Sequence, residues 1–232
     1  MRAHLAGKVV AAGAVLVFVT GCHGPLPLQW TDAGEATAGV LGERYARASV
    51  SQVKTGNPVL DDLEDFMTAV DMTLNFPVAE TVDLQVFLGN REMSGRSVDS
   101  WYGPYSMRVE GWDVGLGIVG HSRPGKTVDP YLFLAGQYLS SDVTYLDGYG
   151  GVFFDEEDFG VVAGGGVQLQ LNRDTSLAPY IKYYDNGLFG EGAKAGGRLD
   201  VWLDRTFFWE VIGETRISED GYEFGTGLGF RF

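Results

Sequence analysis

The sequence predicts an all-β protein, an antiparallel up-and-down β-barrel whose strands cross a membrane, with ten strands preferred and eight as the alternative. Three observations carry that reading. Apolar and polar residues alternate with a period of two over successive runs of about ten residues, the length of strand that crosses a bilayer. Short clusters of turn-forming residues separate the runs. The 232-residue chain also holds 34 glycines with 14 Phe and 11 Tyr, which suits short strands and crowded barrel interiors better than helices.

The first element is not a strand. Arg2 and Lys8 precede an apolar run from Val9 to Val19 that closes on small residues at Gly21 and Cys22, the layout of an export signal. A transmembrane helix needs about 20 apolar residues, and this run is too short, so residues 1–21 are expected to be a signal peptide. Residues 22–42 are rich in Gly, Ala, Thr and Pro without periodicity and are expected to form a flexible tether. The barrel is expected over residues 43–232. Cys22 is the only cysteine, so no intramolecular disulfide can form, and a lone thiol in an exported protein calls for another explanation.

The stretch Val19-Thr20-Gly21-Cys22 resembles the bacterial lipobox, in which a branched apolar residue and two small ones lead into a cysteine that is lipidated. The resemblance implies lipidation at Cys22, the alternative being an ordinary signal peptide that ends near a cysteine. In lipoproteins an aspartate after that cysteine favours retention at the inner membrane. Here the position is His23, so the resemblance points to the outer membrane.

The strands follow in order. A weak run from Arg44 to Lys54 contains Tyr45, Ala46, Ala48, Val50 and Val53. The next sets Phe66, Thr68, Val70, Met72, Leu74 and Phe76 against Met67, Ala69, Asp71, Thr73 and Asn75. After a turn at residues 77–80, Val82, Leu84, Val86 and Leu88 oppose Asp83, Gln85 and Phe87. Trp112, Val114, Leu116 and Ile118 then oppose Gly111, Asp113, Gly115 and Gly117. The segment from Tyr131 to Tyr138 is apolar on both sides, which leaves its orientation open. From Val161 to Leu171 one face carries Val161, Ala163, Gly165, Val167, Leu169 and Leu171, and the other Val162, Gly164, Gly166, Gln168 and Gln170. A turn at residues 172–176 leads into a strand through Tyr180, Ile181, Lys182, Tyr183 and Tyr184. Ala195, Gly197, Leu199 and Val201 next oppose Lys194, Gly196, Arg198 and Asp200. Beyond a turn near Asp204-Arg205, Trp209, Val211 and Ile217 oppose Glu210, Glu214 and Arg216.

In the last run Tyr222, Phe224, Thr226, Leu228, Phe230 and Phe232 alternate with Glu223, Gly225, Gly227, Gly229 and Arg231 up to the final residue. This resembles the carboxy-terminal signal of bacterial outer-membrane barrels of the small opacity- or porin-like kind. The resemblance implies that Tyr222, Phe224, Leu228, Phe230 and Phe232 form the signal read by the barrel-assembly machinery. It also implies outer-membrane lipid and lipopolysaccharide as the surrounding partners.

A soluble barrel or sandwich would show the same period with its apolar face turned inward. The membrane reading rests on closure, since lipid offers no partner for an open strand edge, and on a polar face dense in glycine, which suits a lumen. Placing Phe232 at the periplasmic end assigns loops near 55–65, 90–105, 143–158, 185–190 and 217–221 to the outside. Trp101, Tyr102 and Tyr105 then fall at one aromatic girdle, and Trp202, Phe207, Phe208 and Phe230 at the other.

The chain carries 31 Asp and Glu against 17 Lys and Arg, a net charge of −14, which makes nucleic acid an unsuitable partner. Beyond the leader the histidines are His23, in the expected tether, and His121, expected as a solvated residue beside a turn near Ser122 and Asp129. No catalytic constellation emerges, no cofactor is expected, and clusters suited to zinc or iron are lacking. Asp155-Glu156-Glu157-Asp158 reads as a solvated acidic loop, with a cation-bridged contact to lipopolysaccharide as the alternative. Gly164-Gly165-Gly166 has no following helix or P-loop lysine and reads as room for close packing. The expected role is non-catalytic, structural or surface-interacting. The alternatives are a small pore, which pairing of Lys194, Arg198 and Arg231 with carboxylates would plug, and a lipid-anchored periplasmic barrel that binds a small apolar ligand.

Overall fold

A computed structural model describes residues 41–54, 67–97, 105–122, 127–147, 150–186, 191–217 and 221–232. The expected signal peptide, Cys22, most of the tether, Phe66, Trp101 and Tyr102 lie outside the described residues. Ten strands run in chain order: β1 (Tyr45–Lys54), β2 (Met67–Ala79), β3 (Val82–Ser97), β4 (Tyr105–His121), β5 (Val128–Asp147), β6 (Gly150–Asn172), β7 (Thr175–Asp185), β8 (Glu191–Trp202), β9 (Phe207–Arg216) and β10 (Tyr222–Arg231). Each pairs antiparallel with its sequence neighbours, and β1 pairs with β10, so the sheet closes into a barrel of the preferred strand number. Tyr45 opposite Arg231 and Lys54 opposite Tyr222 fix the seam and put the start of β1 and the end of the chain at one rim.

The alternation in the sequence becomes an inside and an outside. Along β10 the side chains of Tyr222, Phe224, Leu228 and Phe230 are exposed on the outer surface while Glu223 is buried in the lumen. Along β2, Val70, Met72 and Leu74 face out and Asp71, Thr73 and Asn75 face in. Gln137 and Asp113 fix the ambiguous central segment by parity: Tyr131, Phe133 and Ala135 are buried, and Leu132 and Leu134 are exposed. The Gly164 to Gly166 stretch lies where β6 passes close to its neighbours. A methyl group at Gly166 would stand 2.7 Å from the Tyr131 hydroxyl and closer still to the Pro179 carbonyl, so only glycine fits.

The strands are unequal. β1, β9 and β10 have 10 residues each, whereas β3 has 16, β4 has 17, β5 has 20 and β6 has 23. The pairing of β2 with β3 extends only to Thr68 opposite Glu92, and that of β6 with β7 starts at Val161 opposite Asp185. The upper parts of β3 to β6 therefore rise as a four-stranded wall at the rim away from the start of β1 and the chain end.

This corrects two expected loops. Within 90–105, β3 continues to Ser97 and β4 begins at Tyr105, and within 143–158, β5 continues to Asp147 and β6 begins at Gly150. Polar residues in these stretches resemble loop composition, but a strand persists wherever a neighbour supplies its hydrogen bonds, in water as in lipid. The acidic run Asp155 to Asp158 is consequently strand, with Asp155 opposite Asp142 and Glu156 opposite Ser141.

Candidate functional site: a charged and closed lumen

The lumen is built in layers by the inward residue of every second position. At the rim that holds the start of β1 and the chain end, residues 41–43 turn into the barrel. Gly42 adopts a left-handed φ of 76°, which lets its N–H donate to Asp83 Oδ2 at 2.8 Å, and Leu41 is buried beside Phe87, Val119 and Tyr131. Asn75 Nδ2 donates to the Glu43 carbonyl at 2.8 Å and to Asp83 Oδ2 at 3.0 Å. The last residues of the expected tether thus dock against the lumen.

His121 belongs to the same layer and is buried, which corrects its expected place as a solvated turn residue. Its Nε2 lies 3.5 Å from Asp83 Oδ1. Its Nδ1 lies 2.6 Å from the Ser122 carbonyl, and since a carbonyl only accepts, Nδ1 carries a proton. Asp129 accepts from the Ser122 hydroxyl at 2.6 Å. The parity of Val119 and Asp113 already turns His121 inward.

Aromatic rings form the next layer. Phe208 is fully buried, 5.9 Å from the Tyr45 ring and 5.1 Å from the Trp202 ring. Its expected place in an outer girdle is wrong: it shares parity with Glu210, so it faces the lumen. Phe207 and Phe230 do lie outside, 5.2 Å apart, with Phe232 stacked beyond Phe230 at 6.2 Å.

Above this layer the lumen is crossed by ion pairs. Glu210 Oε2 receives Arg47 Nη1 at 3.2 Å and Arg198 Nε at 3.0 Å, and Arg198 Nε also meets Asp200 Oδ1 at 2.6 Å. Glu214 receives Lys182 at 2.6 Å, Lys194 at 3.1 Å and the Tyr180 hydroxyl at 2.5 Å. Lys194 continues to Glu223 at 3.2 Å, and Glu223 accepts from Ser51 at 2.6 Å. Across the lumen Arg91 pairs with Asp71 at 2.7 Å and lies 3.9 Å from Asp113. Lys194 and Arg198 thus pair inside the lumen. Arg231 sits at the rim, where it pairs with Glu43 at 2.7 Å and covers the Trp202 ring at 5.1 Å. The sequence reading missed Arg47, Arg91 and Lys182 as lumen cations, although each alternates with an outward Ala, Asn or Ile.

At the rim farthest from the chain end the β1 to β5 side is apolar, whereas Glu223, opposite Val53, and Arg216, opposite Lys194, are buried charges at the same rim. Val53, Met67, Ala69, Met93, Met107, Val109, Leu139 and Val143 form one buried cluster, and Tyr105 and Tyr145, stacked on each other at 5.4 Å, pack against it. Tyr105 therefore packs with the cluster, not at the girdle expected for it. The mid-barrel charges thus have aromatic rings below them and, on the β1 to β5 side, this cluster above them.

Outside, the surface is apolar around the barrel, with Val50, Met72, Leu88, Leu116, Leu134, Ile181 and Leu228 all exposed. Trp112, Tyr138 and Phe159 form a row across β4, β5 and β6, with ring centres 5.5 and 5.2 Å apart. Among the described residues no group of three His, Cys, Asp or Glu side chains converges to hold a metal.

No family model and no curated protein matches this sequence. The translocator domain of the autotransporter NalP from Neisseria meningitidis is similar in structure over 98% of this chain and 97% of its own, with a TM-score of 0.54 and 12% identity. The transport unit of the autotransporter AIDA-I from Escherichia coli is similar over 88% of this chain and 93% of its own, with a TM-score of 0.53 and 12% identity. The N-terminal β-barrel domain of Pseudomonas aeruginosa OprF aligns over 82% of this chain and 99% of its own at a TM-score of 0.39 and 11% identity. At these identities the likeness is one of fold: the chain has the closed antiparallel architecture of bacterial outer-membrane β-barrels.

Proposed function

We propose that this protein is an integral barrel of the bacterial outer membrane, non-catalytic, with a structural or surface-interaction role carried by the wall of β3 to β6. The observation that carries the reading is the inversion of polarity across the sheet. Exposed Val, Leu, Met, Ile, Trp and Phe line the outside of the barrel while Arg, Lys, Asp and Glu fill the inside, the arrangement that lipid requires and water penalises. β10 has 10 residues; at about 3.3 Å per residue and a tilt near 40° it covers about 25 Å of depth, the height of the apolar band. A periplasmic barrel for a small apolar ligand needs the opposite polarity. A pore needs a wet lumen, whereas these buried charges are drawn together in ion pairs.

In this reading the termini lie on the periplasmic side and the wall outside the cell. Export by residues 1–21, lipidation at Cys22 and recognition of Tyr222, Phe224, Leu228, Phe230 and Phe232 by the assembly machinery complete the proposal, with outer-membrane lipid and lipopolysaccharide as surroundings. The test is membrane partitioning of a Cys22→Ser variant carrying a conventional export signal. Retention after carbonate extraction, with gel mobility that shifts on boiling, is expected; release as a soluble folded protein overturns the reading. Planar-bilayer recordings are expected to show no conductance steps.

A further inference from the structure

We infer that the upper edge of β6 is a docking site for an extended basic peptide segment of another protein, which would add as an eleventh strand. The inference rests on the proposed surface role and names its partner chemistry. Between Gly150 and Gly160, β6 pairs with β5 on one side, and among the described residues no strand pairs with it on the other, because β7 joins only from Val161. Such an edge offers a row of backbone N–H and C=O groups, of which the Phe159 N–H is already taken by Asp158 Oδ1 at 2.7 Å, and addition of a strand is the standard way to satisfy the others. About six residues suffice for a stable added strand, so the eleven-residue stretch from Gly150 to Gly160 is long enough.

Charge selects the occupant. Asp155 and Glu157 are exposed on the outer face of this edge, with Asp142 exposed on β5 opposite Asp155, while Glu156 and Asp158 are half-buried on the other face. Carboxylates on both faces guard the edge against indiscriminate pairing with apolar strands. A second copy is disfavoured as well, since two-fold pairing of this edge with itself would set acidic run against acidic run. A strand with lysine or arginine at alternate positions instead gains a favourable cross-strand pair at each acidic position on the face it shares.

The test uses the full chain folded in lipid vesicles and a fluorescent octapeptide of alternating lysine and valine. Two further peptides carry N-methyl groups on alternate backbone amides, in the two possible phases. Their charge is identical, but an added strand uses only one phase of its N–H groups. Binding is expected for the parent peptide and for one methylated phase, with loss of at least tenfold for the other. The combined variant Asp155→Asn, Glu156→Gln, Glu157→Gln and Asp158→Asn is expected to bind the parent peptide at least tenfold more weakly. Absence of binding, equal binding of both methylated phases, or no effect of the four substitutions overturns the proposal. Dimerisation of the barrel through this edge overturns it in favour of a second copy. Heat-modifiable mobility is read on the same vesicles, so a correctly inserted barrel that fails to bind removes the docking site alone, while failure to insert removes the membrane reading.

Discussion

Glu214 is the residue on which the closed lumen turns. Its carboxylate takes Lys182 at 2.6 Å, Lys194 at 3.1 Å and the Tyr180 hydroxyl at 2.5 Å, and it is fully buried with Lys182. Glu214→Gln keeps the shape and an acceptor oxygen but removes the negative charge that both lysines face. In a dry interior, removing one partner of a buried pair costs about 3–5 kcal/mol, whereas replacing the whole pair by residues of similar volume is often neutral or stabilising. In a wet pore the same pair behaves as an exposed one, worth about 0–1 kcal/mol. Lys194 retains Glu223 at 3.2 Å, which places the expected loss at the low end, about 3 kcal/mol. Equilibrium unfolding in urea with vesicle-inserted protein, followed by tryptophan fluorescence, measures it. The double variant Lys182→Met/Glu214→Gln should recover most of the loss, a coupling that two independent sites would not show. A loss under about 1 kcal/mol for Glu214→Gln, additive with Lys182→Met, would falsify the dry lumen and reopen the pore.

Three other outcomes are expected. Leu134→Arg, on the lipid side of the barrel, should destabilise the inserted barrel by about 2–4 kcal/mol, while Phe153→Arg, also exposed but on the wall, should be nearly neutral in the same unfolding assay. Gly227→Ala should cost about 1–3 kcal/mol by overpacking, since its methyl group would stand 2.5 Å from Glu210 Oε1 and 2.6 Å from the Ala48 carbonyl, whereas Gly213→Ala meets open space; comparison of their unfolding midpoints decides. In the turn after β8, Asp204 accepts from the Thr206 and Phe207 N–H groups at 2.6 and 2.7 Å, which hold its carboxyl below the usual aspartate range. A depressed pKa stabilises the folded state above the unfolded-state value of about 3.9 and ceases to do so as pH falls through the folded value. The stability deficit of Asp204→Ala should therefore be present at neutral pH and shrink below about pH 4, as thermal melts at both values would show.

Strand identity and facing were legible wherever a charged or glycine-rich face opposed an apolar one, as in the runs ending at Phe76, Leu88 and Phe232. The same period contained more than was read from it. Around Phe208 three consecutive aromatic residues hide the alternation, yet Glu210 two positions on sets the phase and sends Phe208 inward. Phe87, Val119 and Tyr131 are apolar lumen residues of the same kind, and a search for polar inward positions passes over them. The extent of the wall was harder to see. In the bilayer the outward positions must be apolar; above it they meet water while Met93, Met107 and Val109 still pack inside, so at Glu92, Arg108 and Glu110 the outward face turns polar while the strands continue. The docking of Leu41 to Glu43 had no local signal at all, because Asp83 and Asn75, which receive it, lie on two other strands.

The distribution of charge ties the lumen to the wall. Among the described residues six Lys and Arg side chains and eight Asp and Glu side chains are buried, so the lumen holds acid and base in near balance. Six positive and eight negative charges leave −2 among the buried groups, against a net charge of −14 for the chain. On the wall Arg108 is engaged by Glu92 at 3.2 Å and by Glu110, while Asp142, Asp155 and Glu157 stand exposed along β5 and β6. These two populations obey different rules. Lumen charges act at short range in a medium of low dielectric, where each loss is costly and salt has little effect, whereas wall charges are screened over about 8 Å at physiological ionic strength. Raising salt should consequently weaken capture of a basic strand by the β6 edge and leave the stability of the barrel nearly unchanged. Parallel loss of both would mean that the lumen charges are also in contact with solvent.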